Sequence, residues 1–96
     1  MADFRVVRNG ILLGSLTRTG GGMFWSEGEF EPVPDFANVQ PLFDEERLLL
    51  EADEIDAWEA VWDKLSVGLV LEPLDGSGPI TEFLLHIEGR QASWRY

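Results

Sequence analysis

The sequence predicts an α+β fold in which a mostly antiparallel sheet of about six strands carries a helical pair on one face. Three short strand-like segments precede two segments with helical spacing, and three more strand-like segments follow, in the order βββ-αα-βββ. Strands connected by short turns pair antiparallel, and a helical layer can cover one face of such a sheet. Ninety-six residues suit one core. We therefore expect a single domain spanning residues 1–96.

The first predicted element is a β-hairpin. Two strand-like segments, residues 4–8 and 11–18, flank the dipeptide Asn9-Gly10. Asn and Gly both tolerate positive φ angles, as a two-residue type I′ turn requires. This dipeptide is therefore predicted to be the hairpin turn.

A third strand is predicted over residues 23–30. The glycine run 20–22 interrupts the preceding strand pattern, and the aromatic-rich segment after it has strand character. Gly28 lies inside this segment and could mark a β-bulge. The chain is therefore expected to open as a three-stranded meander.

Prolines 32, 34 and 41 exclude regular strand or a long helix over residues 31–41, leaving at most a single turn at 35–39. A helix can begin at Pro41, whose missing N–H costs nothing at that position. Its apolar residues recur at helical spacing, and acids in its first turn would favour the helix dipole. Those acids are Asp44, Glu45 and Glu46.

A second helix is predicted over residues 53–65. Asp53 is placed to act as its N-cap, because a carboxylate there can accept hydrogen bonds from free backbone N–H groups. Five large apolar residues form a single stripe at helical spacing. The side chains expected to be buried are Ile55, Trp58, Val61 or Trp62, and Leu65.

The last three strands are predicted over residues 67–72, 80–88 and 91–96. Turn-forming residues separate the first two strands, and a tight turn at 88–90 separates the last two. Alternation along the second of these strands directs three apolar side chains toward the core. They are Phe83, Leu85 and Ile87, and in the final strand Ala92, Trp94 and Tyr96 share a face.

Negative charge is the feature most informative about function. The formal net charge is −11, and thirteen of the eighteen carboxylates lie between Glu27 and Asp63. Such a field attracts cationic partners and repels nucleic acid phosphates. Arg5, Arg8 and Arg18 form only a small basic cluster, so nucleic acid binding is not expected.

The polar side of the second helix is the candidate surface for a partner. It carries four acids, Glu54, Asp56, Glu59 and Asp63, against the single base Lys64. Like charges three and four residues apart on a helix repel each other. We therefore expect a non-enzymatic interaction module or inhibitor that binds a basic protein, with a merely solubilising surface as the alternative.

Aromatic side chains could anchor such a partner. The candidates are Trp25 and Trp94, for which core and interface positions are both open, whereas Trp58 and Trp62 are expected in the core.

A small-molecule binder or an enzyme is the second hypothesis. His86, the only histidine, is predicted to share a strand face with Glu82 and Glu88, so a pocket between sheet and helices could use it. No serine lies in a nucleophile-elbow motif, and no catalytic residue is predicted.

Several other classes are excluded or not supported. Without cysteine there is no disulfide or thiolate metal site. The loop at 75–78 lacks the spaced ligands of a calcium site, so neither a metal nor a cofactor is expected. Residues 1–5 do not resemble a signal peptide, and no apolar run is long enough to span a membrane. A cytoplasmic location is the resulting expectation.

Several short segments resemble small, acidic bacterial proteins encoded as stand-alone reading frames. The resemblance extends over most of the chain but contains no diagnostic motif, so it implies no activity and no site residue. The segments that carry it are 41–46, 56–58, 83–87 and 94–96.

Overall fold

The fold is α+β, as predicted: six antiparallel strands form one curled sheet, which is accompanied by two α-helices. The computed structural model describes residues 2–96. The elements are β1 (Phe4–Arg8), β2 (Ile11–Gly21), β3 (Ser26–Pro32), a 3₁₀ helix (Pro34–Asn38), α1 (Gln40–Glu51), α2 (Ile55–Leu65), β4 (Leu69–Pro73), β5 (Leu84–Glu88) and β6 (Gln91–Arg95).

The strand order, which the sequence left open, is β4-β1-β2-β3-β6-β5. The first three strands form the central meander. β4 then pairs with β1, while β6 pairs with β3 and places β5 at the edge. The helix α1 packs against this edge strand. The edge beside β5 is therefore where the sheet and the helical layer meet.

The first hairpin turn is confirmed. Asn9 and Gly10 have φ angles of 53° and 80°, the positive values that a type I′ turn requires. β1 and β2 pair antiparallel on either side of this turn.

The second hairpin differs from the prediction at its boundaries. β2 continues through the glycines to Gly21, and β3 begins only at Ser26. The irregularity in their pairing lies between Arg18 and Gly20, so the predicted bulge at Gly28 was wrong. Glycines lack a side chain but keep both backbone hydrogen-bonding groups, so Gly20 and Gly21 can continue the strand in its pairing with β3.

The helices lie close to their predicted positions, but their first turns differ. α1 begins at Gln40, so Asp44, Glu45 and Glu46 do not lie in its first turn. α2 begins at Ile55 with Glu54 at the N-cap. Asp53 has a φ of 59° and belongs to the turn between the helices. Its predicted N-cap role was therefore wrong, because the chain needed a left-handed residue there to reverse direction.

The core combines side chains from one face of the curled sheet with side chains of the helical segments. Leu85 and Ile87 are buried as predicted, Phe83 packs against the core partly buried, and Ala92 and Trp94 are buried as well. From the helical layer, the core receives Phe36, Val39, Phe43 and Leu65.

One predicted core residue of α2 is exposed. Ile55 is 44% exposed because it occupies the first turn of α2. Tyr96, which follows the last residue of β6, is 70% exposed. Val61 and Leu65 are buried as expected, while Trp58 and Trp62 are half-buried.

The last strands are shorter than predicted. β4 begins at Leu69, and β5 begins at Leu84 instead of residue 80. Ile80 forms only an isolated bridge to Leu71. Glu82 therefore lies outside the strand that carries His86.

Substitution of Gly28 tests how tightly the centre of the sheet is packed. A Cβ at this position would collide with the Thr17 carbonyl and the ring of Trp94. We expect Gly28→Ala to lower the free energy of unfolding by about 1–3 kcal/mol, the usual cost of overpacking a core. Urea denaturation measures the change. Gly20→Ala is the control, because no heavy atom lies within 4 Å of its added Cβ. Equal midpoints for the two variants would contradict this packing.

Candidate functional site

A fully buried carboxylate lies where α1 meets the edge strand. Glu46 follows Phe43 by one helical turn, and both side chains lie on the buried side of α1. Glu46 is 0% exposed and is the one buried charged residue among residues 2–96. Burying a charged group costs several kcal/mol unless it has partners, so the contacts of Glu46 determine what its burial costs.

Two polar groups contact the same oxygen of Glu46. His86 Nδ1 lies 2.5 Å from Oε1, and the indole N–H of Trp58 donates a hydrogen bond to Oε1 at 2.7 Å. Oε2 has no hydrogen-bond partner within the described chain. The carboxylate therefore connects α1 to both α2 and β5 through one oxygen atom.

His86 is held by a second contact, on the face of its ring. The Trp25 ring stacks on it with centroids 5.3 Å apart and an interplanar angle of 27°. The Arg95 guanidinium lies 5.9 Å from the Trp25 ring centroid, within cation–π range. The imidazole is therefore fixed both at Nδ1 and in the plane of its ring.

His86 also lines a groove on the sheet face opposite the core. His86 alternates along β5 with the buried Leu85 and Ile87, so its side chain is on this outer face. The groove has a volume of about 670 Å³, and β3, β5, β6 and α1 contribute to it. Its polar lining includes Glu27, Glu29, Arg47, Glu88, Arg90 and Ser93. Glu82, the predicted neighbour of His86, is not part of this lining.

Arg47 is engaged in the wall of this groove. Its Nη1 lies 3.0 Å from Glu51 and 3.7 Å from Glu88. Arg47 thereby ties α1 to the end of β5. These contacts leave it less able to neutralise the acids of the neighbouring helix.

The four candidate acids of α2 are all exposed. Asp56, Glu59 and Asp63 are three and four residues apart, on the side of the helix opposite Val61 and Leu65. Glu54 precedes them at the N-cap. No ion pair involves any of the four within residues 2–96. We call Asp56, Glu59 and Asp63 the α2 acidic ridge.

The two candidate tryptophans occupy different environments. Trp25 is half-buried and stacks on His86, so part of its ring faces solvent. Trp94 is 0% exposed and packs edge-on against Phe4. Trp94 therefore belongs to the core and cannot anchor a partner on this surface. The Trp94 ring lies against Gly28, and the absence of a side chain at Gly28 leaves room for so large a ring.

The basic residues of the first hairpin have structural partners. Arg8 donates from Nε to the Leu65 carbonyl at 3.0 Å and from Nη2 to the Lys64 carbonyl at 3.2 Å. A cation at a helix C-terminus satisfies free carbonyls and favours the helix dipole. Arg8 is therefore used to fix the end of α2 against β1.

The loop after β4 is a hydrogen-bonded turn. The side-chain hydroxyl and the backbone N–H of Ser77 both donate to Asp75, which lowers the pKa of that carboxyl. The described residues contain no group of three or more His, Asp or Glu side chains placed to hold a metal ion.

The sequence did not predict the contacts of Glu46 with His86 and Trp58. Helical spacing placed Glu46 among the apolar residues of α1, and this was the available signal. A glutamate between leucines is usually solvent-exposed, however, and pairing with residue 86 depends on the position of β5 at the sheet edge. That position follows from a strand order that local patterns do not encode.

Comparison with protein-family models, with curated proteins and with solved structures finds no match for this chain. Within residues 2–96, neither helix has the length and apolar character needed to cross a bilayer.

Substitution of Glu46 tests the buried contacts. We expect Glu46→Ala to lower the free energy of unfolding by about 3–5 kcal/mol, because it removes the buried carboxylate that accepts from the Trp58 indole N–H and contacts His86 Nδ1. Glu45→Ala removes an exposed carboxylate from the same helix and should change stability by less than about 0.5 kcal/mol. Urea denaturation of both variants measures the difference. Similar losses of stability in the two variants would show that the Glu46 side chain does not stabilise the fold.

Proposed function

We propose that this protein is a non-enzymatic interaction module that binds a basic protein through the α2 acidic ridge and Glu54. The observation that carries the proposal is that all four carboxylates are exposed and none has a cationic partner within the described residues. Repulsion along the ridge costs stability that a cationic partner would recover.

The distribution of basic residues supports this proposal. Arg8 is bound to carbonyls at the end of α2, and Arg47 is paired with Glu51 and Glu88. Lys64 is the single base within α2 itself. The field around the ridge is therefore strongly negative, and such a field steers cationic surfaces into encounter at rates that fall with added salt.

The class of partner follows from the same electrostatics. A protein that exposes lysine and arginine side chains in a concave surface, as a nucleic-acid-binding protein does, is complementary to a helix with a convex acidic ridge. Occupation of that surface would block access of phosphate, so inhibition is the expected consequence of binding.

A charge reversal in the middle of the ridge tests the proposal. Glu59→Lys places a cation three residues after Asp56 and four residues before Asp63, replacing two repulsions with two attractions. We expect the isolated protein to gain about 0.5 kcal/mol or less in stability and to lose affinity for a short lysine homopolymer. Thermal unfolding and NMR titration at low and moderate salt measure the two effects.

Glu31→Lys is the matched control, because it reverses an exposed glutamate on β3 and produces the same change in net charge, from −11 to −9. The proposal requires that amide shifts caused by the homopolymer map to α2 and that only the ridge variant weakens them. Shifts spread over the whole acidic surface, with equal losses for both variants, would leave the ridge with a solubilising role only.

A further inference from the structure

One end of the sheet exposes large apolar side chains that the acidic ridge does not use. β2 and β3 are joined there by a turn at residues 22–25, in which the Gly22 N–H donates to the Trp25 carbonyl at 2.9 Å. The two central side chains of this turn, Met23 and Phe24, are 91% and 67% exposed. Adjacent large apolar side chains left in water mark an interaction surface. We call Met23 and Phe24 the apolar tip.

A recess lies at the same end of the sheet. β1 begins at this end, and β2, β4 and β6 finish there. The recess has a volume of about 520 Å³, and its apolar lining is Phe4, Leu74, Ile80 and Tyr96. Tyr96 packs edge-on against Phe4, with ring centroids 6.3 Å apart. The recess is therefore an apolar site next to the apolar tip.

The end of β6 connects the tip to the recess. The Arg95 guanidinium lies 5.8 Å from the centroid of the Phe24 ring, and the following residue, Tyr96, lines the recess. A two-fold symmetric contact needs a surface that is complementary to itself. A tip beside a recess meets this requirement, because each copy of the chain offers both features to the other copy.

The charges at this end are balanced, unlike those of the whole chain. Asp3, Arg18 and Asp75 line the recess, and Arg95 lies over the tip. Hydrogen bonds from Ser77 lower the pKa of the Asp75 carboxyl, and Arg95 forms no ion pair within residues 2–96. Two chains of net charge −11 repel each other across their acidic surfaces. A contact between copies therefore requires a surface where opposite charges are matched.

We propose that two copies of this chain associate through this end of the sheet about a two-fold axis, with the apolar tip of each copy in the recess of the other. Arg95 of one copy then lies opposite Asp75 of the second copy, and the symmetry repeats this pair. Nucleic acid and anionic bilayers are repelled by the net charge, and a basic protein is attracted to the acidic ridge instead. This association does not depend on the ridge, so the isolated protein tests it.

Sedimentation velocity of the full chain measures the association. The salt concentration is about 0.15 M, at which interactions between exposed charges are screened beyond roughly 8 Å. We expect a reversible equilibrium between monomer and dimer with a Kd on the order of 10 μM, as a small interface gives. Phe24→Ser should raise the Kd at least about tenfold, because an aromatic anchor is lost. Val67→Ser is the matched control and should leave the Kd unchanged. Val67 is 64% exposed, but it lies at the opposite end of the sheet beside the Asn9-Gly10 turn.

Charge reversal tests the proposed pair between the copies. Arg95→Glu should weaken association of that variant with itself, and Asp75→Arg should do the same, because each change places like charges opposite each other. An equimolar mixture of the two variants should dimerise again, since each contact then joins a carboxylate to a guanidinium. Circular dichroism of each variant establishes that it is folded.

Several results would overturn the proposal. They are a monomer at every concentration up to about 1 mM, an unchanged Kd in Phe24→Ser, equal losses in Phe24→Ser and Val67→Ser, and no dimer in the mixture of charge variants. A monomeric protein that cosediments with vesicles of phosphatidylcholine and phosphatidylglycerol would assign the apolar tip to a lipid surface and would also overturn it.

Discussion

The buried carboxyl group of Glu46 is the constraint on which the arrangement of helices and edge strand depends. One oxygen of this carboxylate contacts His86 on β5 and Trp58 on α2, while its backbone belongs to α1. A carboxylate without these partners would be too costly to bury. The network therefore requires a single relative placement of three elements, whereas apolar contacts alone would tolerate small shifts among them. Stacking of Trp25 on His86 extends this constraint to the segment before β3.

The small number of basic residues also explains the negative charge of the α2 surface. The chain has seven Lys and Arg residues for eighteen carboxylates, and the structure uses Arg8 at the end of α2 and Arg47 between α1 and β5. Because these two arginines bind elsewhere in the fold, they do not neutralise the acids on the exposed side of α2. The fold and the acidic ridge are thus two consequences of one distribution of charge, and the outer groove, with bases and acids together, is chemically distinct from the ridge.

Local patterns in the sequence predicted the element order, the Asn9-Gly10 turn and the burial of Val61 and Leu65 in α2, because these depend on neighbours in the chain. They also placed the α2 acids on an exposed side. They did not predict the burial of Glu46, the core position of Trp94 or the contact of His86 with Glu46. Each of these follows from strand order, which brings β6 beside β3 and leaves β5 at the edge. The predicted N-cap role of Asp53 and the predicted burial of Ile55 were wrong for a different reason, because the turn between the helices determines where α2 begins.

A double-mutant cycle between residues 46 and 86 tests most directly whether the buried contact organises this region. Glu46→Leu and His86→Phe each leave one polar partner of this contact without the other, whereas the double variant removes both polar groups and keeps apolar volume. The account predicts that the double variant loses less stability than the two single losses together, with a coupling of about 1–3 kcal/mol in urea unfolding. Additive losses, within about 0.3 kcal/mol, would show that the two side chains do not stabilise each other and would contradict the account.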